Sequence, residues 1–210
     1  MYQPAHFGIK DPAARMALAR EVIAAHSFAS LVGTVGAAPF ATHCPLTAQI
    51  SDSNPCGLVL EGHIARANPH WQAWQDAAGV LVMFHGPHAY LSPSLYEGEQ
   101  NVPTWNYVAV HVYGRIRVIQ ERDHLHAVMK RLIAHNEPSY AAQWDRLDAG
   151  YRERMLDAIV GFTIEPDSVE VKFKVSQNRQ PADRQRVRDA FSQGSTDQQA
   201  LAAWMTRLGG

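Results

Sequence analysis

Hydrophobic and polar positions alternate over several short stretches of the chain, and this alternation predicts β-strands. FASLVGTV, the turn GAAP and FATHCPLTAQI together predict a hairpin. GLVLEGHI predicts a further strand, and TWNYVAVHVYGRIRVIQ, with β-branched and aromatic residues throughout, gives the longest strand signal. Turns at His85-Gly86-Pro87 and at Pro166-Asp167 are expected to divide two other apolar runs into pairs of strands.

Helical patterns occur between these strands without alternating regularly with them. DPAARMALAREVIAAHS places Asp11 as N-cap and Pro12 as the first helical residue. RDHLHAVMKRLIAHNE, YRERMLDAIV and STDQQALAAWMTRLGG predict further helices, the last capped at Ser195 or Thr196, and a short helix is expected around residues 69–77. GEQNVP and QNRQPADRQ are polar enough to be mobile. Six to eight short strands with such interruptions predict a mainly β fold with helices, of α+β type, in which a mostly antiparallel barrel carries peripheral helices.

Composition narrows the classes of protein to which the chain can belong. With 210 residues, 46% hydrophobic and 19% charged, the chain can bury one substantial core, and we expect one domain. The net charge of −1 provides no overall attraction to nucleic acid or to an anionic membrane. Two cysteines and an N-terminus without a signal-peptide pattern predict a cytoplasmic protein, and no apolar run is long enough to span a membrane.

Most catalytic and metal-binding motifs are absent from the sequence. The eleven histidines form no H-E-x-x-H motif and no zinc-type Cys/His pair, so we predict no metal site. Cys44 could be a nucleophile, but no acid or oxyanion donor can be assigned to it, and an ordinary buried cysteine is the favoured interpretation. Neither G-x-G-x-x-G nor G-x-x-x-x-G-K is present, which argues against a Rossmann or P-loop nucleotide site.

Polar residues at strand ends are the remaining candidates for chemistry. GHIARANPHW places His63, Arg66 and Asn68 where burial without partners would be costly. A flat heteroaromatic cofactor with a phosphate would use an arginine and a histidine for the phosphate and aromatic residues for the ring. The strand-end set is Thr42, His43, His63, Arg66, Tyr90, Ser92, Trp105 and Asn106. Composition supports equally well an interpretation in which Arg66 forms a structural salt bridge and Trp105 belongs to the core.

Six motifs of this chain resemble, in order and spacing, the PaiB family of FMN-binding negative transcriptional regulators. They are MYQPAHF, ATHCPL, GHIARANPHW, GPHAYLSPSLY, VPTWNYVAVHVYG and KFKVSQNR, and the resemblance extends from Met1 to about Arg179. The chain departs from the family pattern at Leu95, where a tryptophan is expected, and at Cys44, Leu46 and Val175. Loss of that tryptophan could weaken a stacking or packing contact near the site.

The resemblance implies a split barrel related to pyridoxamine phosphate oxidase, forming a homodimer that binds FMN in two clefts between its subunits. Residues 1–178 would be the FMN-binding split-barrel domain, and residues 179–210 a C-terminal helical extension of it. Arg66 would be the phosphate ligand with His63 as a helper, while Thr42, His43 and Cys44 would lie along the ring edge. The other residues implied in cofactor binding, some of which would close the cleft from the partner chain, are Tyr90, Ser92, Trp105, Asn106, Lys174, Ser176, Gln177 and Asn178.

Two functions of different classes are compatible with the sequence. The family name implies a flavin-dependent repressor that acts directly on DNA or through a regulatory protein partner. The alternative is an FMN-dependent oxidoreductase on a small molecule, although no catalytic acid or base can be assigned. Direct DNA binding is doubtful, because no helix-turn-helix signature is visible and the one local basic cluster is interleaved with acids. That cluster consists of Arg179, Arg184, Arg186 and Arg188, with Asp183 and Asp189 between them. Haem binding is a third possibility, for which no axial histidine can be chosen.

Overall fold

The computed structural model describes residues 1–74 and 79–209, which form strands, α-helices and short 3-10 helices. The strands are β1 (Phe28–Val35), β2 (Ala38–Ile50), β3 (Leu58–Ala65), β4 (Gly79–Leu91), β5 (Thr104–Val118) and β6 (Ile159–Lys174). The helices are α1 (Pro12–Ala25), α2 (Arg122–Asn136), α3 (Ala141–Arg146), α4 (Ala149–Asp157), α5 (Pro181–Ser192) and α6 (Thr196–Arg207). The 3-10 helices are Ala5–Phe7, Pro69–Ala73, Pro93–Leu95 and Pro138–Tyr140.

The six strands hydrogen-bond in the order β1-β2-β3-β6-β5-β4 and close into a barrel. The β1–β2 hairpin pairs Phe28 with Pro45 and Val35 with Ala38, and β2 continues into an antiparallel pairing with β3. β1 also pairs antiparallel with β4, and β3 with β6. The prediction of a mostly antiparallel barrel with peripheral helices is therefore confirmed.

The chain divides into two compact units. Unit 1 comprises Met1–Val22, His85–Val110 and Glu170–Gly210, and unit 2 comprises Ile23–Phe84 and His111–Val169. In unit 1, Phe173 packs on Trp204 of α6 with ring centroids 4.7 Å apart. In unit 2, the fully buried side chains include Leu31, Leu46, Leu60, Phe84 and Phe162. Each such side chain stabilises the folded state by roughly 1.5–3 kcal/mol, so each unit holds a substantial apolar core.

Two predicted strand breaks are wrong, because each strand continues through the expected turn and a glycine on β4 or β5 permits close packing of the strands there. β4 runs without interruption through His85-Gly86-Pro87, and β6 runs through Pro166-Asp167. A Cβ on Gly86 would lie 2.9 Å from the Cβ of Val108, so the glycine lets two strands approach. A Cβ on Gly114 would lie 2.4 Å from the carbonyl oxygen of Glu165, which requires glycine opposite this part of β6.

Predicted N-caps are found at the starts of α1 and α6, and two α-helices, α3 and α5, were missed. Asp11 accepts a hydrogen bond from the Ala14 amide at 2.7 Å, and Ser195 forms a capping box with Gln198 at the start of α6. The short helix expected around residues 69–77 is a 3-10 helix over Pro69–Ala73, and positions 75–77 lie outside the described residues. α5 occupies a stretch predicted to be mobile; it begins at Pro181 and buries Val187 and Phe191.

Candidate cofactor-binding site

The predicted site residues fall into two groups, one in each unit. Unit 2 holds Thr42, His43 and Cys44 on β2, His63 on β3 and Arg66 just beyond the end of β3. Unit 1 holds the remaining residues, on β4, on β5 and at the end of β6; they are Tyr90, Ser92, Trp105, Asn106, Lys174, Ser176, Gln177 and Asn178.

The Arg66 side chain is exposed and caps a helix. Its Nε donates to the Asp157 carbonyl oxygen at 2.6 Å, and its Nη2 donates to the Ile159 carbonyl oxygen at 2.8 Å. The Arg66 backbone amide donates to the Ala158 carbonyl oxygen at 2.8 Å. The Asp157 and Ala158 carbonyls lie at the C-terminal end of α4, where backbone acceptors lack partners within the helix and a cation is favourable, and Ile159 begins β6. Arg66 therefore has a structural role through carbonyl groups, and its other N–H groups could still meet an anion.

The Thr42 side chain is buried in a hydrogen-bonded chain with two residues beyond β3. Asn68 Nδ2 donates to Thr42 Oγ1 at 3.1 Å, and Thr42 Oγ1 lies 3.0 Å from His70 Nδ1. The hydroxyl therefore accepts from Asn68 and meets Nδ1 of His70 as donor or acceptor, according to the imidazole tautomer. His70 is completely buried, and its Nε2 finds no hydrogen-bond partner within residues 1–74 and 79–209. Burial lowers the pKa of His70, which favours the neutral ring.

The neighbouring β2 residues differ sharply in exposure. His43 is exposed; its Nδ1 lies 3.1 Å from Ser30 Oγ, and its ring stacks on Phe28 with centroids 6.3 Å apart. Cys44 is buried, and burial raises the pKa of its thiol to about 12. The thiol is therefore protonated at neutral pH, which supports the interpretation of Cys44 as an ordinary buried cysteine.

His63 is half-buried, and its Nδ1 is a buried atom without a hydrogen-bond partner in the described part of the chain. Burial lowers the pKa of His63, so the ring is neutral at pH 7. A neutral imidazole brings no positive charge to a phosphate, although it retains one N–H donor. The predicted helper role of His63 stays a prediction with this restriction.

Unit 1 presents an exposed aromatic surface, which consists of His88 and Tyr90 on β4 and Trp105 on β5. Tyr90 is 50% and Trp105 52% exposed, and their rings meet edge to face with centroids 6.2 Å apart. His88 lies against the same indole at 6.3 Å. The interpretation of Trp105 as a core residue is wrong, and the surface offers ring faces and edges to a flat ligand.

The segment after β6 is ordered by its own polar side chains. Asn106 Nδ2 donates to Ser176 Oγ at 2.9 Å, and both side chains are buried. Ser176 has a φ of 65°, and the Val175 amide donates to Gln177 Oε1 at 2.8 Å. Asn106, Ser176 and Gln177 therefore shape the backbone here, while Asn178 is exposed. Ser92 caps the 3-10 helix Pro93–Leu95 by accepting from the Ser94 amide.

Cations gather beside this segment, and one of them, Lys172, was missed by sequence reasoning. Lys174 Nζ donates to Thr104 Oγ1, and Lys172 is 6% exposed. The pKa of Lys174 is lowered by burial and by the positive charges of Lys172 and Arg179. Lysines at alternate positions of KFKVSQNR share a strand face, and this spacing could have revealed the pair. Unit 1 therefore supplies both positive charge and exposed aromatic rings, the two kinds of group that suit a planar aromatic molecule bearing a phosphate.

Two other site classes receive no support from the structure. Over residues 1–74 and 79–209, no group of three or more His, Cys, Asp or Glu side chains is arranged to hold a metal ion. Over the same residues, no helix is both long enough and apolar enough to cross a membrane.

Comparison with known proteins identifies the family. The family model described as "Putative FMN-binding domain" matches residues 1–168. The chain is 35% identical over 190 residues to protease synthase and sporulation protein PAI 2 of Bacillus subtilis, covering 89% of this chain and 87% of that protein. These two matches cover most of the chain, in agreement with the resemblance carried by the six motifs.

Solved structures support the fold. The flavocytochrome Anf3 from Azotobacter vinelandii superposes with a TM-score of 0.57 at 12% identity, covering 75% of this chain and 66% of that one. The FAD and heme binding protein from Mycobacterium smegmatis superposes with a TM-score of 0.53 at 19% identity, and the match covers 76% of this chain and 71% of that one. At these identities the likeness concerns the fold alone, and it confirms the predicted split barrel. The chain belongs to the PaiB family of FMN-binding split-barrel proteins, whose cofactor is FMN.

Proposed function

We propose that the protein is a negative transcriptional regulator of the PaiB type that responds to the state of its bound FMN. The observation that carries this proposal is its 35% identity, over most of both chains, to a Bacillus subtilis protein named for protease synthesis and sporulation. Flavin accepts and returns electrons, so bound FMN would provide a redox-sensitive signal. The cytoplasmic location remains a prediction from the sequence.

The residues of this chain suit the parts of FMN in different ways. The aromatic surface of His88, Tyr90 and Trp105 would pack against the isoalloxazine ring. A phosphate requires positive charge, which Arg66 provides in unit 2 and Lys174 in unit 1. Thr42 is less suited to a direct side-chain contact because its hydroxyl is engaged with His70. The roles of His43, Cys44 and Asn178 along the ring edge and cleft remain predictions.

We also propose a homodimer whose interface forms the FMN clefts. Exposed apolar side chains in unit 1, including Val102 at 71% and Trp105 at 52% exposure, favour a contact that removes them from water. A stable interface of this kind should bury more than about 2,000 Å² in total. Light scattering should give the mass of two chains, and a monomer that binds FMN at full affinity would refute the dimer.

Ion pairs within the basic cluster of α5 argue against direct binding of operator DNA. In the candidate basic cluster, Arg186 pairs with Asp183 at 3.2 Å and with Glu97 at 3.3 Å, and Arg188 donates to Gln185. A tight DNA contact usually neutralises several phosphates, roughly 6 to 10 in strongly salt-dependent cases. An arginine that already pairs with two carboxylates, as Arg186 does, is poorly suited to that task. Regulation therefore passes through a protein partner or through the flavin, and not through tight binding of DNA by the isolated protein.

The alternative function is an FMN-dependent oxidoreductase acting on a small molecule. It is favoured by the exposed aromatic surface, because Tyr90 and Trp105 could contact a substrate as well as the flavin. Cys44 is unsuited to a nucleophilic step at neutral pH because its thiol is buried and protonated. Burial lowers the pKa of His63, so its imidazole is neutral at pH 7 and cannot act as a general acid there. We therefore assign no catalytic acid or base.

The visible spectrum of the purified protein, followed by anaerobic titration with NADH and NADPH, tests the proposal. Under the regulator proposal, the protein takes up FMN, and neither nicotinamide reduces it with rapid turnover. Rapid reduction followed by electron transfer to a small acceptor would favour the oxidoreductase. A footprint on its own promoter at nanomolar protein and about 150 mM salt, lost when Arg184, Arg186 and Arg188 are replaced, would show direct repression instead. Failure to bind FMN would overturn both functions.

A further inference from the structure

A pocket of about 210 Å³ lies against α5 and the C-terminal end of α6, both in unit 1. It is lined by Pro181, Arg184, Gln185 and Arg188 of α5, by Met205 of α6 and by Gly209. Both helices lie beyond residue 168, where the match to the family model ends. The pocket is therefore formed outside the part of the chain that matches the FMN-binding family, and we call it the α5–α6 pocket.

The helical period sorts the arginines of α5 onto different faces. The four α5 residues of the pocket are three or four positions apart, which places their side chains on one face of the helix. Arg186 lies on another face, where it pairs with Asp183 at 3.2 Å and with Glu97 at 3.3 Å. Asp183 also accepts a hydrogen bond from the Glu97 amide at 2.9 Å. These two acids therefore neutralise the arginine that does not line the pocket.

Arg184 and Arg188, which line the pocket, have no carboxylate partner within residues 1–74 and 79–209. Arg184 is half-buried, and its Nε is a buried donor without a hydrogen-bond partner among these residues. Nη2 of Arg188 donates to the neutral amide oxygen of Gln185, whose own amide nitrogen donates to Asp189 at 2.6 Å. Because like charges spaced i and i+4 on a helix repel each other, an anion between the two arginines would remove an unfavourable interaction.

The Arg184 guanidinium lies directly against the backbone at the end of α6. A Cβ added to Gly209 would overlap Nη2 of Arg184 and would also meet the Met205 carbonyl oxygen. Since glycine leaves this space open, the guanidinium can occupy the region between the two helices. The Met205 side chain is buried and contributes an apolar surface to the same pocket. The α5–α6 pocket therefore combines two cations with an apolar wall.

The size and lining of the pocket define the class of ligand that it suits. Its volume is below the roughly 300–1,000 Å³ of pockets that hold drug-sized ligands, so the ligand must be small. Guanidinium groups bind carboxylates through charge-assisted hydrogen bonds, and two of them match two negative charges. Pro181 and Met205 suit a short hydrocarbon part between those charges, which an inorganic anion lacks.

We propose that the α5–α6 pocket binds a small organic dicarboxylate through Arg184 and Arg188. Each arginine receives one carboxylate group of the ligand, and the hydrocarbon part contacts Pro181 and Met205. The pocket is then a second ligand site of the protein, in addition to the site of FMN, and its occupant joins α5 to α6.

Isothermal titration calorimetry of the full-length protein tests this site, with succinate as the probe and acetate and inorganic phosphate as comparisons. The protein is first saturated with FMN, which prevents the probes from entering the cofactor site, and ionic strength is kept constant. Succinate should bind with a Kd on the order of 0.1–1 mM, and acetate and phosphate at least about tenfold more weakly. Arg184→Gln and Arg188→Gln should each weaken succinate by about tenfold or more, as expected for loss of a charge-assisted contact.

Arg186→Gln is the matched control, because it removes the same charge from the same helix without altering the lining of the pocket. It should change the affinity for succinate by less than about threefold. The proposal is overturned if succinate fails to bind at 10 mM, an upper limit set about tenfold above the weakest expected Kd. Equal weakening by Arg184→Gln and Arg186→Gln would also overturn it, since that result indicates only a general attraction to positive charge.

Two further measurements complete the experiment. Phosphate that binds as tightly as succinate would overturn the assignment of the pocket to dicarboxylates. Circular dichroism and thermal unfolding establish that each variant is folded. If Arg184→Gln is unfolded, Arg188→Gln is compared with Arg186→Gln by the same criterion.

Discussion

Replacing Arg131 by methionine should destabilise the protein far more than replacing its neighbour Lys130. Arg131 forms a two-pronged contact with Glu61, from Nε to Oε2 at 2.7 Å and from Nη2 to Oε1 at 3.0 Å. The Glu61 side chain is 7% exposed, and His124 Nε2 lies 3.1 Å from Oε1. These contacts join α2 to β3 within unit 2.

The magnitude follows from what remains after the guanidinium is removed. Glu61 would keep only His124, which is 39% exposed, beside a carboxylate that is almost excluded from water. Breaking a buried ion pair on one side costs about 3–5 kcal/mol, and the 35% exposure of Arg131 places this case near 3 kcal/mol. The Lys130–Asp145 pair is 58% exposed on both sides, so Lys130→Met should cost less than about 1 kcal/mol.

Urea unfolding of the apoprotein at pH 7, followed by circular dichroism, measures the difference. With a denaturant slope of about 2 kcal/mol per molar, Arg131→Met should lower the midpoint by about 1.5 M, and Lys130→Met by less than about 0.5 M. Adding Glu61→Gln to Arg131→Met should restore more than half of the loss, because the uncompensated charge is then gone. Equal midpoints for the two single variants would refute this account of Glu61.

Three further predictions concern pH, thiol reactivity and backbone packing. Burial lowers the pKa of His70 below 6.5, so the stabilisation by the neutral ring is present above about pH 6.5 and is lost as the pH falls through the folded-state pKa. The free energy of unfolding should therefore change less between about pH 7 and pH 5.5 in His70→Asn than in the wild-type protein. Cys44, with a pKa of about 12, should react with a maleimide at pH 8 at least about 100-fold more slowly in the native protein than in urea, and equal rates would contradict its burial. Gly114→Ala should cost more than about 2 kcal/mol by urea unfolding, since its Cβ would meet the Glu165 carbonyl, whereas Gly79→Ala, with nothing within 4 Å, should be nearly neutral.

The barrel could be predicted because most strands bury one face. The sequence did not reveal that β4 and β6 each continue through an expected turn. Local turn chemistry made Gly86-Pro87 a plausible break, yet Gly86 serves the approach of Val108 on β5. That requirement arises between strands distant in sequence, and no local pattern records it. α5 was missed for a related reason, because its polar sequence has few apolar positions, and only Val187 and Phe191 are buried.

The sequence proposed candidate residues for the site, and their roles in cofactor binding stay predictions. Trp105 was selected, and its exposure removes the competing core interpretation. Arg66 was expected to meet a phosphate or an acidic side chain, but its contacts are carbonyls of a helix end. Which acceptors surround a guanidinium depends on α4, more than 80 residues away in sequence, as the separation of 91 residues between Arg66 and Asp157 shows. Lys172 was missed because a lysine on a half-buried strand resembles an ordinary outward-facing residue.

The distribution of charge connects the site to the kind of regulation proposed. A net charge of −1 leaves little overall attraction for a polyanion, and one arginine on each of α2, α5 and α6 is joined to an acid, in the pairs Arg131–Glu61, Arg186–Glu97 and Arg207–Glu21. Against this background, the end of β6 and the segment after it carry Lys172, Lys174 and Arg179, for which the part of the chain that the structure describes shows no carboxylate partner. Such a region matches one phosphate group, whereas operator DNA presents a charge about every 1.7 Å along its axis and is held by many contacts. The electrostatics of the chain therefore favour regulation through a small bound phosphate ester over direct recognition of an operator.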